Sequence, residues 1–256
     1  MNQATTSESG RSDNPWSDLG AVARESMQEL GFWMTLRYLV IWWLSYKPVD
    51  DQSYDKKHGT DTGGIVPTRN LDISDAYTRW QANLFLASPA RITRYMIESL
   101  DIRPEDFTFV DYGSGKGRTT LVAAEYPFKE AVGVEISAEL TDIARKNAAL
   151  MSAAGELACE PAFVEADARQ FELPAGDLIL HMYHPFGQDI LREVLAAIRE
   201  QAGSSRKILV PYLFSVAMAK AVFHEFPEFR RERDVFCVNP QYRWTLYEFT
   251  DGQVDT

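Results

Sequence analysis

Three glycines separated by single residues form the stretch of this sequence with the clearest chemical meaning. They are Gly113, Gly115 and Gly117. Because glycine has no Cβ, such a turn brings backbone N–H groups and a following helix N-terminus close to a ligand. An acid, Glu135, closes the next apolar run, where a carboxylate can bind the two hydroxyls of a ribose. The stretch therefore predicts a site for an adenosine-type cofactor.

The elements that position these residues form one βαβ unit. An apolar run at residues 107–110 precedes the turn, a helix-forming run begins at Arg118, and a second apolar run at residues 131–134 leads into Glu135. In an open α/β sheet, ligands bind outside the carboxyl ends of the strands. The turn and the acid are therefore expected at the same edge of a sheet.

The spacing separates this turn from two other nucleotide-binding turns. A P-loop has the pattern G-x-x-x-x-G-K-[ST], whereas here Lys116 is followed by Gly117 and Val110 stands at the first glycine position. A dinucleotide-binding turn has the pattern G-x-G-x-x-G, and this chain has G-x-G-x-G with Asp111 two residues before it. A carboxylate there suits a cationic amino acid head group better than a pyrophosphate.

The pattern Asp-x-Gly-x-Gly-x-Gly followed by Gly-Val-Glu resembles motif I and the ribose acid of class I methyltransferases, which use S-adenosyl-L-methionine. The run YGSGKGR is also similar to that of uncharacterised bacterial methyltransferases. In this family an acid after the third strand bonds the adenine amino group, and Asp167 stands there. The resemblance implies these cofactor-binding residues: Asp111, Gly113, Ser114, Gly115, Gly117, Glu135, Ile136, Asp167 and Ala168.

A second turn, Tyr183-His-Pro-Phe-Gly, follows a strand predicted from the apolar run at residues 177–183. It resembles motif IV of amino-group methyltransferases, in which Asn or Asp precedes proline and an aromatic residue. The resemblance implies a catalytic turn of His184, Pro185 and Phe186, with histidine in place of Asn or Asp. A neutral imidazole can accept a hydrogen bond from an amine or relay its proton. The alternative is that His184 only caps the next turn.

The composition limits the classes of partner. The chain has 256 residues, a net charge of −11 and a pI near 4.9, which disfavours nucleic acid as substrate. The methyl acceptor is expected to be a protein or a small molecule. Cys159 and Cys237 have no metal or disulfide spacing, and His181 and His184 should face opposite sides of a strand, so no metal site is predicted.

The predicted fold is α/β: a doubly wound, Rossmann-like, seven-stranded and mostly parallel sheet with an antiparallel C-terminal hairpin strand and a helical N-terminal extension. Residues 1–18 are expected to be a disordered tail, residues 19–87 a helical and loop extension with a lid, and residues 88–256 the methyltransferase domain. Within the extension, residues 54–67 are interpreted as a loop and a candidate lid. The hairpin is expected from strands at residues 235–238 and 242–249.

Residues 31–46 form an apolar run that contains three tryptophans. At this length, and with Arg37 inside it, the run is too short to span a membrane. A helix that is apolar on every face must be covered by protein or lie on a membrane surface. The sequence therefore predicts contact with the rest of the chain, a homodimer, or a membrane surface. No secretory signal is recognised, so a cytoplasmic protein is expected, with membrane association as the alternative that the apolar run leaves open.

Together these patterns favour an S-adenosylmethionine-dependent methyltransferase that acts on an amino group. Three alternatives remain open at this level. The fold could carry a catalytically silent module that binds cofactor or a partner, an O-methyltransferase of a small molecule, or an oxidoreductase that uses NAD. Binding of S-adenosylmethionine, turnover and binding of NAD distinguish among them.

Overall fold

A seven-stranded sheet lies at the centre of the structure, a computed structural model. Five strands run parallel, and the last two in the chain pair antiparallel as a hairpin at one edge. The predicted fold class is therefore confirmed. The model describes residues 52–67, 70–83, 85–203, 206–214, 217–235 and 242–251.

The described residues before the sheet include five short elements. They are α1 (Gln52–His58), β1 (Ile65–Val66), α2 (Ala76–Gln81), β2 (Phe85–Leu86) and α3 (Ala90–Glu98). The two short strands pair antiparallel as a separate ribbon.

The sheet itself is formed by β3 to β9 in the order β5-β4-β3-β6-β7-β9-β8. The strand order reverses between β3 and β6, and ligands in such sheets bind at this switch point. The strands are β3 (Phe107–Tyr112), β4 (Glu130–Glu135), β5 (Pro161–Glu165), β6 (Asp177–Tyr183), β7 (Ile208–Leu213), β8 (Phe229–Val235) and β9 (Trp244–Phe249). The helices between them are α4 (Arg118–Ala124), α5 (Ala138–Ala153), α6 (Gln188–Ala202) and α7 (Ala217–His224).

Helices cover both faces of the sheet, which explains why its central strands are mostly apolar. Every residue of β3 is buried, and its side chains alternate between two cores. Val110 faces the core formed with α6 and α7, and Phe109 faces the core formed with α3 and α4. A strand buried on both faces reads as a continuous apolar run instead of an alternating one.

Two details of the prediction were wrong. Residues 54–58 were expected in a loop but form most of α1, whose Tyr54 is buried against α4 and α5. Tertiary packing of this one side chain stabilises a helix too short to form alone. The first hairpin strand is β8, which begins at Phe229 instead of residue 235. Its middle is charged and exposed, as is typical of an edge strand that avoids pairing with other chains.

Several predictions concern residues outside the described part of the chain. The tail at residues 1–18, the apolar run at residues 31–46 and Cys237 all lie there. Cys159 is half-buried and unpaired, and burial raises the pKa of its thiol to about 11. Within the described residues, no helix combines the length and apolarity needed to cross a membrane.

Candidate active site

The glycine turn connects β3 to α4 and has a backbone that only glycine adopts easily. Its three glycines have φ values of 74°, 53° and 90°. A Cβ added at Gly113 would lie 2.6 Å from Cβ of Pro185, and one at Gly115 would lie 2.2 Å from the ring of Phe85. Contacts shorter than van der Waals separation require the neighbour to move. The turn therefore places bare backbone against two neighbouring segments.

Glu135 ends β4, and its carboxylate joins the glycine turn to the start of α5. One oxygen accepts from the N–H of Gly115 and the other from the N–H of Ser137, each at 2.9 Å. Burial raises the pKa of Glu135, and the two backbone N–H groups oppose that rise. Each carboxylate oxygen can accept more than one hydrogen bond. Glu135 can therefore accept from ribose hydroxyls while it holds the turn.

Asp111 lies deeper, inside the sheet. Its carboxylate accepts from Thr120 Oγ1 at 3.2 Å and is 2.7 Å from Nδ1 of His181, its neighbour on β6. Its assignment to the cofactor's amino acid group stays a prediction. Ser114 Oγ is buried against Gly133 without a described partner, and Ile136 is half-buried beside Glu135.

Asp167 follows β5 and caps a short 3-10 helix that begins at Ala168. Its carboxylate also bonds the guanidinium of Arg169, with Nε 2.9 Å from Oδ1. Burial acts to raise the pKa of Asp167, but the bonds to Arg169 outweigh it and lower the pKa. Asp167 is thus a charged group at the carboxyl edge, and its contact with adenine stays a prediction.

The turn after β6 lies directly beside the glycine turn, because Pro185 contacts Gly113. Asn83 holds this turn with two hydrogen bonds. Its side-chain Nδ2 donates to the carbonyl of His184 at 2.7 Å, and its backbone N–H donates to the carbonyl of Pro185 at 3.1 Å. Ala82 forms a bridge to Phe186. The structure therefore brings the predicted catalytic turn and the predicted cofactor turn together.

The imidazole of His184 packs between β6 and β7. Its Nδ1 is 2.8 Å from the hydroxyl of Tyr212, and its ring meets that of Phe214 edge to face at 5.5 Å. Burial lowers the pKa of His184 to about 4. The ring is therefore neutral at any pH near 7.

The segment between α1 and α3, which we name the strap (residues 59–67, 70–83 and 85–89), covers this edge of the sheet. Its Asp72 accepts hydrogen bonds from Ser137 Oγ and the N–H of Glu139, beside Glu135. Farther along, Phe85 lies against Gly115 and Asn83 holds the turn after β6.

The sequence interpretation missed Asn83, Phe85 and Tyr212. Tyr212 carries a signal that could have found it, because it stands near the carboxyl end of a predicted strand, where ligand-binding residues are expected. Asn83 and Phe85 carry no such signal, since they lie outside the β3–β7 units.

A buried ion pair fixes the strap and α1 to the first turn of α4. Arg118, only 5% exposed, bonds Asp55 Oδ2 at 2.9 Å and Thr62 Oγ1 at 2.6 Å. The other oxygen of Asp55 accepts from the N–H of Thr62 at 2.9 Å. A guanidinium that is withdrawn from water needs such partners. This pair therefore secures the residues just after the glycine turn.

Replacing Asp55 by Ala should lower the free energy of unfolding by about 2–3 kcal/mol, because a buried Arg118 would lose its counter-ion. Urea denaturation measures the change. Asp61→Ala is the matched control, since Asp61 is 69% exposed and pairs with Lys116 at the surface; a loss of no more than about 1 kcal/mol is expected there. Equal losses of unfolding free energy in the two variants would show that the buried pair of Asp55 and Arg118 stabilises the protein no more than a surface pair does.

These residues fit S-adenosyl-L-methionine. The three glycines adopt positive φ and place no side chains on the turn, and Glu135 supplies a buried carboxylate where ribose hydroxyls are expected. Within the part of the chain that the structure covers, no three His, Cys, Asp or Glu side chains cluster as a metal site would need. The glycine turn and Glu135 are the features by which this edge of the sheet suits S-adenosyl-L-methionine.

A family model described as "Histone methylation protein DOT1" matches residues 74–197. The match begins within the strap, at residue 74, and spans the glycine turn, Glu135, Asp167 and the turn after β6. No curated protein matches the chain.

Many solved structures resemble the chain at low identity. One is an RNA methyltransferase from Salinibacter ruber in complex with S-adenosyl-L-homocysteine, with 21% identity, 67% of this chain and 97% of that chain covered, and a TM-score of 0.46. Another is ribosomal protein L11 methylase from Lactobacillus delbrueckii subsp. bulgaricus, with 15% identity, coverage of 62% and 76%, and a TM-score of 0.46. By its strand order, the described part of this chain has a doubly wound, Rossmann-like α/β fold.

Proposed function

We propose that the protein transfers the methyl group of S-adenosyl-L-methionine to an amino group of a protein or small molecule. The observation that carries the proposal is the contact between the two turns, Gly113 against Pro185, at the switch point of the sheet. The cofactor, when bound, supplies an electrophilic methyl group. A group that reacts with it must approach from the turn after β6.

The amino-group assignment is supported by the way Asn83 contacts this turn. Its side-chain NH2 group donates to the carbonyl of His184 at 2.7 Å. Because a carbonyl oxygen has two lone pairs, the His184 carbonyl can also accept from an acceptor amine while Asn83 stays in place. Phe186 lies at the same turn and can exclude water. Alignment and desolvation are the main contributions that a protein makes to such a transfer.

A protein or small-molecule acceptor is favoured over nucleic acid because the chain has a net charge of −11. An acidic protein attracts cationic or neutral partners and repels a phosphate backbone. We propose in the same way that the acceptor is an amine of a protein or a small molecule and that the reaction takes place in the cytoplasm.

The test combines binding and turnover. Calorimetry should show binding of S-adenosyl-L-methionine and its demethylated product, and little binding of NAD. Incubation with methyl-labelled cofactor and panels of amines, peptides and alcohols should label an amine. Binding without transfer to any acceptor would indicate a silent module, label on oxygen would indicate an O-methyltransferase, and preference for NAD would indicate an oxidoreductase.

A further inference from the structure

Two strained residues meet at the ends of neighbouring strands, and the proposed function does not explain them. His184 follows β6 with φ of 43°, and Phe214 follows β7 with φ of 54°. Residues with side chains rarely adopt this left-handed conformation, and when they do they cluster at functional sites. Their rings are in contact, with centroids 5.5 Å apart. We therefore expect the methyl acceptor to lie beside these two rings, beyond Pro185.

Tyr212 determines which nitrogen of His184 carries hydrogen. The side chain of Tyr212 is fully buried, and its ring packs edge to face on Phe223. Its hydroxyl has one partner in the described part of the chain, Nδ1 of His184 at 2.8 Å. If Nδ1 carried hydrogen and donated, the phenolic hydrogen would be buried without an acceptor. A buried donor that lacks an acceptor loses its solvation without compensation.

The hydroxyl of Tyr212 therefore donates to Nδ1 of His184. Burial raises the pKa of Tyr212, so its hydroxyl keeps its hydrogen. In a neutral imidazole one nitrogen is a donor and the other an acceptor. With Nδ1 as the acceptor, Nε2 must carry the hydrogen.

Nε2 is the second nitrogen of the His184 ring and is free to bond a ligand. No residue in the described ranges bonds it, and the side chain of His184 is only half-buried. The main chain of His184 is fixed by Asn83 and the ring is fixed by Tyr212. The Nε2–H group is thus a pre-positioned donor beside the predicted methyl-transfer turn.

We propose that Tyr212 is a positioning residue that holds His184 as the Nε2–H form, and that this N–H donates to a carbonyl or carboxylate oxygen of the methyl acceptor. This assignment rests on the proposed function. It narrows the acceptor to an amine with a nearby oxygen, as in an amino acid or a peptide N-terminus. His184 then orients the acceptor and does not take up its proton, because Nε2 is already protonated.

The first test is independent of activity. The chain has four histidines, so ¹⁵N spectra of ring-labelled protein, assigned with His184→Gln, report the two nitrogens of His184 directly. We expect a protonated Nε2 and an unprotonated Nδ1. In Tyr212→Phe, a mixture of the two neutral forms should appear. Tyr126→Phe is the control, because it removes a hydroxyl bonded to Glu98 far along the chain and should leave His184 unchanged. A protonated Nδ1 in the native protein would overturn the assignment.

The second test uses paired acceptors, an amino acid amide and the matching alkylamine that lacks the oxygen. Tyr212→Phe should lower kcat/KM about tenfold for the first and leave it nearly unchanged for the second, with unchanged affinity for the cofactor. Equal effects on the two acceptors would overturn the acceptor class while the proposed function stands. No transfer to any amine would refute the proposed function, while the spectra would still decide the form of His184.

Discussion

Replacing Glu135 by Ala should weaken binding of S-adenosyl-L-methionine by about 1.5–3 kcal/mol, or roughly 10- to 150-fold in Kd. The native carboxylate is buried and already holds the N–H groups of Gly115 and Ser137. The substitution removes the acceptor for the ribose hydroxyls and also loosens the turn that approaches the cofactor. Titration calorimetry on the folded variant measures the change.

A matched control for this change lies on the next strand. Glu165 of β5 pairs in register with Glu135, ends its own strand, and is exposed. Glu165→Ala should leave cofactor affinity within about twofold of the native value, because exposed charges contribute little. Native affinity in a folded Glu135→Ala protein would remove the ribose assignment.

Replacing His184 by Ala should lower turnover about 100-fold and leave cofactor affinity nearly intact. The loss falls on alignment of the acceptor, and misplacement of a reacting group can cost this much. The predicted contacts to the cofactor lie in the glycine turn and Glu135, which the substitution leaves in place. Steady-state kinetics together with calorimetry separate the two effects.

His224→Ala provides the control for loss of a histidine, since His224 lies exposed at the end of α7. It should retain native turnover. Full activity of His184→Ala on the same acceptor would show that the turn after β6 does not act as the amino-group motif that it resembles.

The sequence by itself was sufficient to predict the glycine turn and the parallel strands, because both depend on residues that are close together in the chain. The glycine spacing identified a tight turn, and in the structure Gly113 and Gly115 have the positive φ that only glycine adopts freely. Continuous apolar runs identified the buried parallel strands, and the strand order places Glu135 and His184 at one edge. These features follow from local periodicity and from the handedness of βαβ units.

The helix at residues 52–58 shows where local patterns fail. Its composition and the glycines that follow indicated a loop, but burial of Tyr54 against Met151 and the ion pair of Asp55 with Arg118 stabilise a helix. Both contacts join residues that are far apart in the chain. No pattern within a short window encodes them, since helix propensity is weaker than tertiary packing.

The acceptor side of the site was decided by tertiary structure. Asn83 reaches the His184 carbonyl from 101 residues away, and Tyr212 reaches the His184 ring from 28 residues away. The sequence indicated that His184 is near the chemistry and left its proton position open, as donor or acceptor. The burial of Tyr212 and its lack of a second partner among the described residues determine which nitrogen carries the hydrogen, because hydrogen-bond roles depend on what packing places beside each group.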